Sequence, residues 1–151
     1  MDNAAQILRR YKFKNTKLRH AVLTELMATE TSLSHQDLSK ALDIPFDRVT
    51  LFRTLSSFEE AGILHKIMDL NGTAKYAYTT TKEDHEEKNH AHFLCLKCDK
   101  IFCLEEVFPI EQVTVPTGFS KLFLDVKIKG VCKDCQKEKT RKEKKEKLQK
   151  A

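Results

Sequence analysis

Cysteine and histidine carry most of the reactive chemistry in this chain of 151 residues, which has five of the first and six of the second. Four cysteines form two pairs of identical spacing, Cys95-Leu96-Lys97-Cys98 and Cys132-Lys133-Asp134-Cys135, with 33 residues between the inner members. A C-x-x-C turn supplies two thiolates from one tight corner, so two such turns fill the tetrahedral sphere of zinc and leave no position for water. The expected site is therefore structural rather than catalytic. The competing reading, two disulfides, is disfavoured because the chain opens without a signal peptide and is expected to be cytoplasmic, where thiols stay reduced. His90 and His92 stand just ahead of the first pair and Cys103 follows it, three further ligands that the cluster does not need.

A second chemistry is electrostatic. The formal net charge is +5, but residues 137–150 alone hold eight Lys or Arg against three Glu, so the remaining chain is near neutral. Arg9, Arg10, Lys12, Lys14, Lys17 and Arg19 face only Asp2 at the start of the chain. Local basic patches suit a polyanion such as DNA, although such runs are also ordinary solvated faces. No apolar run is long enough to cross a bilayer, so no membrane partner is expected.

The elements that must position these groups follow from periodicity. Leu18, Val22, Leu23, Leu26 and Met27 give an amphipathic helix over 16–28 after a short N-terminal one. Ser34 with Asp37 resembles a helix cap, and Leu38, Ala41 and Leu42 supply the buried face of a short helix ending near Asp43. Residues 47–61 form the clearest helix, with Asp47 as cap, Val49, Leu51, Phe52, Leu55 and Phe58 as apolar positions, and Gly62 just past its end. The period then changes to two. Residues 63–68 and 75–78 read as strands joined by Asp69-Leu70-Asn71-Gly72, a hairpin signal. Three helices and a hairpin make a winged helix, whose last helix can enter the DNA major groove. Arg48, Thr50, Arg53, Thr54 and Ser57 are its candidate DNA contacts, with Arg19 in the basic N-terminal segment. Beyond the hinge, 100–104 reads as a strand, and Leu122, Leu124, Val126 and Ile128 alternate as one face of another.

Arg48-Val-Thr-Leu-Phe-Arg-Thr-Leu-Ser-Ser-Phe-Glu-Glu-Ala-Gly-Ile-Leu64 resembles the recognition-helix signature of the ferric uptake regulator family. His90-Ala-His92-Phe-Leu-Cys95-Leu-Lys-Cys98 resembles its metal-box signature, and Gly-Val-Cys132-x-x-Cys135 completes a match across most of residues 10–136. The resemblance implies an α+β chain that acts as a homodimeric, metal-responsive repressor binding a double-stranded DNA operator. Its expected parts are a winged-helix DNA-binding domain over 1–80, a hinge over 81–90, a small α/β dimerisation domain with the four-cysteine zinc over 91–136, and a Lys-rich tail over 137–151. Phe52 stands where the family usually has a tyrosine thought to touch DNA; the ring survives and the hydroxyl is lost.

The resemblance also implies a regulatory metal beside the hinge. His90 and His92, two apart on a strand, point to one side and can share an ion. Cys103 occupies the position where iron and manganese sensors tend to carry a carboxylate, and a thiolate softens the site toward zinc over ferrous or manganous ion. His85, Asp84 and the wing residue Asp69 are the further candidate ligands. Cys103 as a plain buried hydrophobe in its strand is the competing reading. Ser32 falls where a winged-helix histidine usually joins the metal; His35 is near, but reads more simply as a solvated or capping residue. Asn89 and Ala91 replace ligands of the family's auxiliary site, so a second regulatory ion is not expected. A zinc hydrolase would need an open coordination position beside a base such as Glu83 or Glu105, and no nucleophile or substrate motif accompanies either, so neither enzyme activity nor a substrate beyond metal ions is expected. Two alternatives stay open: an iron- or peroxide-sensing member of the same family, and a thiol redox switch built on the C-x-x-C pairs.

Overall fold

In the computed structural model, residues 3–79, 91–104, 113–122 and 124–150 are described. The chain divides into two compact units, Met1–Lys88 and Asn89–Ala151. Among the described residues no helix is long and apolar enough to cross a membrane.

The first unit begins with α1 (Ala4–Arg10), closed by a capping box in which Gln6 N donates to Asn3 Oδ1 at 3.0 Å and Asn3 N to Gln6 Oε1 at 2.8 Å. Then come α2 (Lys17–Ala28), β1 (Leu33–Ser34), α3 (His35–Ala41), α4 (Arg48–Glu60), β2 (Leu64–Met68) and β3 (Ala74–Tyr78). Ser34 caps α3, and its Oγ and N both donate to Asp37 Oδ2, at 2.8 and 2.9 Å. Helix α4 ends in a Schellman turn: Gly62 takes φ +78°, Gly62 N donates to Glu59 O, and Ile63 N reaches Phe58 O at 2.9 Å. Ile7, Leu8, Val22, Leu23, Leu26, Leu38, Leu51, Leu55, Phe58, Ile63 and Leu64 form one buried core, the apolar faces that the 3.6-residue period marks.

The wing is antiparallel, with sheet order β1-β3-β2 and Leu64 opposite Tyr78. Its tip is held by Asp69, whose Oδ1 accepts from the amides of Asn71 and Thr73, both at 2.8 Å, while Gly72 sits at φ +78°. The two-residue β1 was not anticipated; it gains its identity from pairing with Tyr76 and Lys75 of β3, not from any local period.

The second unit holds β4 (Ala91–Cys95), β5 (Ile101–Leu104), β6 (Val126–Gly130) and α5 (Lys133–Gln149). Strand β4 lies central, antiparallel to β5 and parallel to β6. The expected strand face beginning at Leu122 is corrected: strand pairing starts only at Val126, and Leu122 is 88% exposed. Alternation alone cannot set where a ladder begins. The Lys-rich segment continues α5 as far as Gln149. Gly130 faces the ring of Phe93, and a Cβ there would lie 2.9 Å from Cζ and 3.1 Å from Cε2. Gly130→Ala is expected to lower the stability of this unit by about 1–3 kcal/mol through overpacking, read by hydrogen exchange of 91–104 against 3–79.

Candidate metal centres and nucleic-acid interface

The first C-x-x-C turn caps the β4–β5 hairpin. Cys95 N donates to Lys100 O at 3.0 Å, Asp99 N donates to Cys95 O at 3.0 Å, and Asp99 takes φ +58°, a left-handed conformation that Asp tolerates. Leu96 N reaches Gly130 O at 2.8 Å, which ties the turn to β6, and the second pair begins two residues later at the head of α5. The four sulfurs of Cys95, Cys98, Cys132 and Cys135 all lie within 4.8 Å of one another. Cys98 and Cys132 Sγ are 3.8 Å apart, too far for a disulfide and close to the edge of a tetrahedron with zinc–sulfur bonds of about 2.3 Å.

The electrostatics favour a cation. A hydrogen bond from the Cys132 amide, 3.3 Å from Cys95 Sγ, draws that thiol down to about 6. Burial, followed by the neighbouring sulfurs, pushes Cys135 up to about 12, and burial also raises Cys98. One thiolate is thus supported by the protein alone, and further thiolates need a positive charge between them. When bound, zinc supplies that charge and links the β-sheet to α5.

The second candidate centre is built on the sheet. His92 of β4 stands directly opposite Cys103 of β5, and their ligand atoms lie within 4.8 Å of each other. His92 is buried and Cys103 half-buried. Asp125, just ahead of β6, brings Oδ1 to 4.0 Å from His92 Nδ1 and Oδ2 to 3.5 Å from Lys127 Nζ. Sequence reasoning missed Asp125, since only the parallel register that sets Lys127 beside His92 carries it there. Candidate ligands His90, His85 and Asp84 lie outside the described residues, as does Glu83. Asp69 serves the wing turn through Oδ1.

On α4, burial of Leu51, Thr54, Leu55 and Phe58 defines the inner arc, which leaves Arg48, Val49, Phe52, Arg53 and Ser56 exposed. Two expectations, Thr54 as a DNA contact and Val49 as an inner apolar position, are corrected by that arc. Thr54 is 5% exposed and donates to Thr50 O at 2.8 Å, so it cannot reach a groove. Ser57 is half-buried and donates to Thr54 O at 2.9 Å. Val49, expected inside, is 53% exposed. Thr50 is exposed and its hydroxyl donates to the capping carboxylate of Asp47 at 3.0 Å, a carboxylate that the Thr50 amide and hydroxyl together hold below the usual range. Arg19 lies with its guanidinium 5.2 Å from the Phe13 ring centre and donates to Lys14 O, which ties it to the α1–α2 turn.

His35 is half-buried and does not cap α3, a task that Ser34 performs. Its ring stacks on Phe52 at 3.9 Å between centroids and 18° between planes, and Nε2 lies 3.4 Å from Arg48 O. The contact joins α3 to the exposed side of α4 and fixes the ring that stands where a tyrosine was expected. No sequence period signals it, because the two residues lie on different helices.

The fold has counterparts among known proteins. The ferric uptake regulator family model matches residues 10–115. A peroxide-responsive repressor, PerR, of Staphylococcus saprophyticus is 27% identical over 142 residues, 90% of this chain and 91% of that protein. The structure of a ferric uptake regulator from Francisella tularensis with iron is 26% identical, with TM-score 0.62, over 82% of this chain and 95% of that one. A zinc uptake regulator complexed with zinc and DNA has the same fold at 22% identity, with TM-score 0.64, over 91% of this chain and 93% of that one.

Proposed function

The chain belongs to the ferric uptake regulator family, and we propose that it is the zinc-responsive kind of that family's metal-dependent DNA-binding repressors, acting as a homodimer that controls metal homeostasis. As a family member it is a transcription regulator and not an enzyme. The observation that carries the zinc reading is the opposition of His92 and Cys103 on one sheet, a nitrogen and a soft sulfur, beside four other thiols that already satisfy a separate cluster. His90, with His85 or Asp84, completes the proposed regulatory sphere, and Asp69 keeps one carboxylate oxygen outside the turn for a cation. The proposed dimer supplies cover for Phe119 and Leu122, which are 71% and 88% exposed in one copy.

A two-fold operator is bound only when two reading helices have the right spacing, and the ion selects that geometry. By linkage DNA tightens the ion by the same factor, roughly 1–3 kcal/mol in typical couplings. Arg48, Thr50, Phe52 and Arg53 are the proposed DNA contacts on α4. Arg53→Ala is expected to cost roughly 1–3 kcal/mol of operator affinity, measured by anisotropy titration. Unchanged affinity would mean that α4 is not the reading helix.

The deciding experiment strips the regulatory ion, keeps the four-cysteine zinc, and titrates zinc, ferrous and manganous ions anaerobically in a DNA-binding assay. Zinc restoring binding at the lowest free concentration is the expected result. A peroxide-responsive reading is favoured by the Staphylococcus relative. It replaces the zinc reading if ferrous ion restores binding as well as zinc and dilute peroxide then releases the DNA while the cysteine-bound zinc stays.

A further inference from the structure

Helix α5 is 17 residues long and buries none of them, yet its charges are sorted by face. A groove of about 480 Å³ runs between the helix and the first cysteine turn, and its walls include all four carboxylates of α5, Asp134, Glu138, Glu143 and Glu146. Lys139 and Lys142 line the same groove, and Lys139 pairs with Glu143 at 4.0 Å. Lys137, Arg141, Lys144 and Lys147 lie outside it, four cations spaced by four, three and three residues along one stripe. Among the described residues none of these four has a carboxylate within ion-pair distance.

Lys137 and Arg141 are i,i+4 neighbours, and Arg141, Lys144 and Lys147 follow at i,i+3, so the outer face gathers like charge although Asp134, Glu138 and Glu143 stand at helical spacing from three of these cations. A stripe of four exposed cations has a polyanion as its natural complement. Lys137 and Lys147 are separated by ten helical rises, about 15 Å, on the order of four base-pair steps, so several phosphates of one duplex strand fall within reach. A membrane surface is the poorer match, since an interfacial helix needs an apolar face and Leu148 is the one large apolar side chain here.

We infer that the outer face of α5 is a second DNA-binding surface, which holds duplex phosphates without reading sequence. The inference rests on the DNA-binding reading for the identity of the polyanion and extends the interface beyond α4. Because Cys132 caps α5 and Cys135 lies in its first turn, the zinc cluster is also the mount of this surface.

The test uses the full-chain, zinc-loaded protein and a fluorescent duplex of random sequence about 40 base pairs long, more than one footprint, with affinity measured across a salt series. Lys137→Gln/Arg141→Gln is expected to weaken binding at low salt at least tenfold. It should also flatten the slope of log affinity against log salt by about 1.8 per chain, about 0.9 for each phosphate that is no longer neutralised. Lys139→Gln/Lys142→Gln removes the same charge from the groove side and is expected to change the slope by less than half as much. Equal losses from the two pairs would reduce the effect to net charge and overturn the inference. So would an unchanged slope for the outer pair, or a loss confined to phosphatidylglycerol vesicles with duplex binding intact. Absence of random-duplex binding by the unaltered protein would also overturn the inference, whereas absence of operator binding with every metal tested would overturn the DNA-binding reading on which it rests.

Discussion

Cys95→Ser is expected to release the cluster zinc and to unfold the C-terminal unit while leaving the winged helix folded. The asymmetry follows from what each unit buries. The N-terminal unit has a continuous apolar core that includes Phe58 and seven leucines at under 3% exposure. In the C-terminal unit the described buried apolar residues are Ala91, Leu94, Cys95, Ile101 and Cys132, two of them members of the cluster itself. Those residues by themselves do not reach the roughly 5–15 kcal/mol typical of a stable domain, whereas a structural zinc contributes about 10–16 kcal/mol of apparent binding energy. Cys95 is also the thiol that the Cys132 amide holds at about 6, so it is the anchor on which the cluster first carries charge. Serine keeps the volume but binds zinc poorly, and it leaves three thiols crowded around a missing ligand. Native mass spectrometry should show one zinc fewer per chain. Hydrogen exchange should lose its slow amides over 91–104 and 126–149 and keep them over 4–28 and 48–78. Retained protection in both units would remove the metal from its assigned task.

Features within one short segment were legible from sequence, and features made by two segments were not. The two cysteine pairs were readable because each is a complete turn with its own ligands, and their spacing alone demands a partner. Helix α4 and its Gly62 stop were readable for the same reason. Thr54 misled because a hydroxyl suggests an exposed position, yet it sits on the arc of Leu51, Leu55 and Phe58 and satisfies its hydroxyl on the preceding turn. His35 on Phe52, Leu33 on Tyr76, and Asp125 near His92 depend on how separate elements dock, and no periodicity encodes that. The site residues that proved hardest to read are accordingly those that couple one element to another.

His92→Ala should separate sensing from folding. It removes the proposed nitrogen ligand from the sheet without touching the four-cysteine cluster, so any zinc held there and the slow amides of α5 should survive. Metal-dependent tightening on the operator should disappear, a loss of roughly 5- to 150-fold for a coupling of 1–3 kcal/mol. Cys103→Asp makes the complementary change. It keeps a ligand opposite His92 but exchanges sulfur for oxygen, and the preference should move from zinc toward ferrous and manganous ions because hard cations favour oxygen donors. The pair of variants distinguishes ligand from filler. A Cys103 that only packs the sheet would give Asp a folding penalty and no change in metal order, whereas a ligand would give a reordered metal series at nearly unchanged stability. If His92→Ala and Cys95→Ser produce the same loss of fold, the division into a structural and a regulatory centre fails. If only Cys95→Ser unfolds the unit while His92→Ala loses metal-dependent tightening, the result supports His92 as a ligand of the proposed regulatory ion rather than a part of the fold.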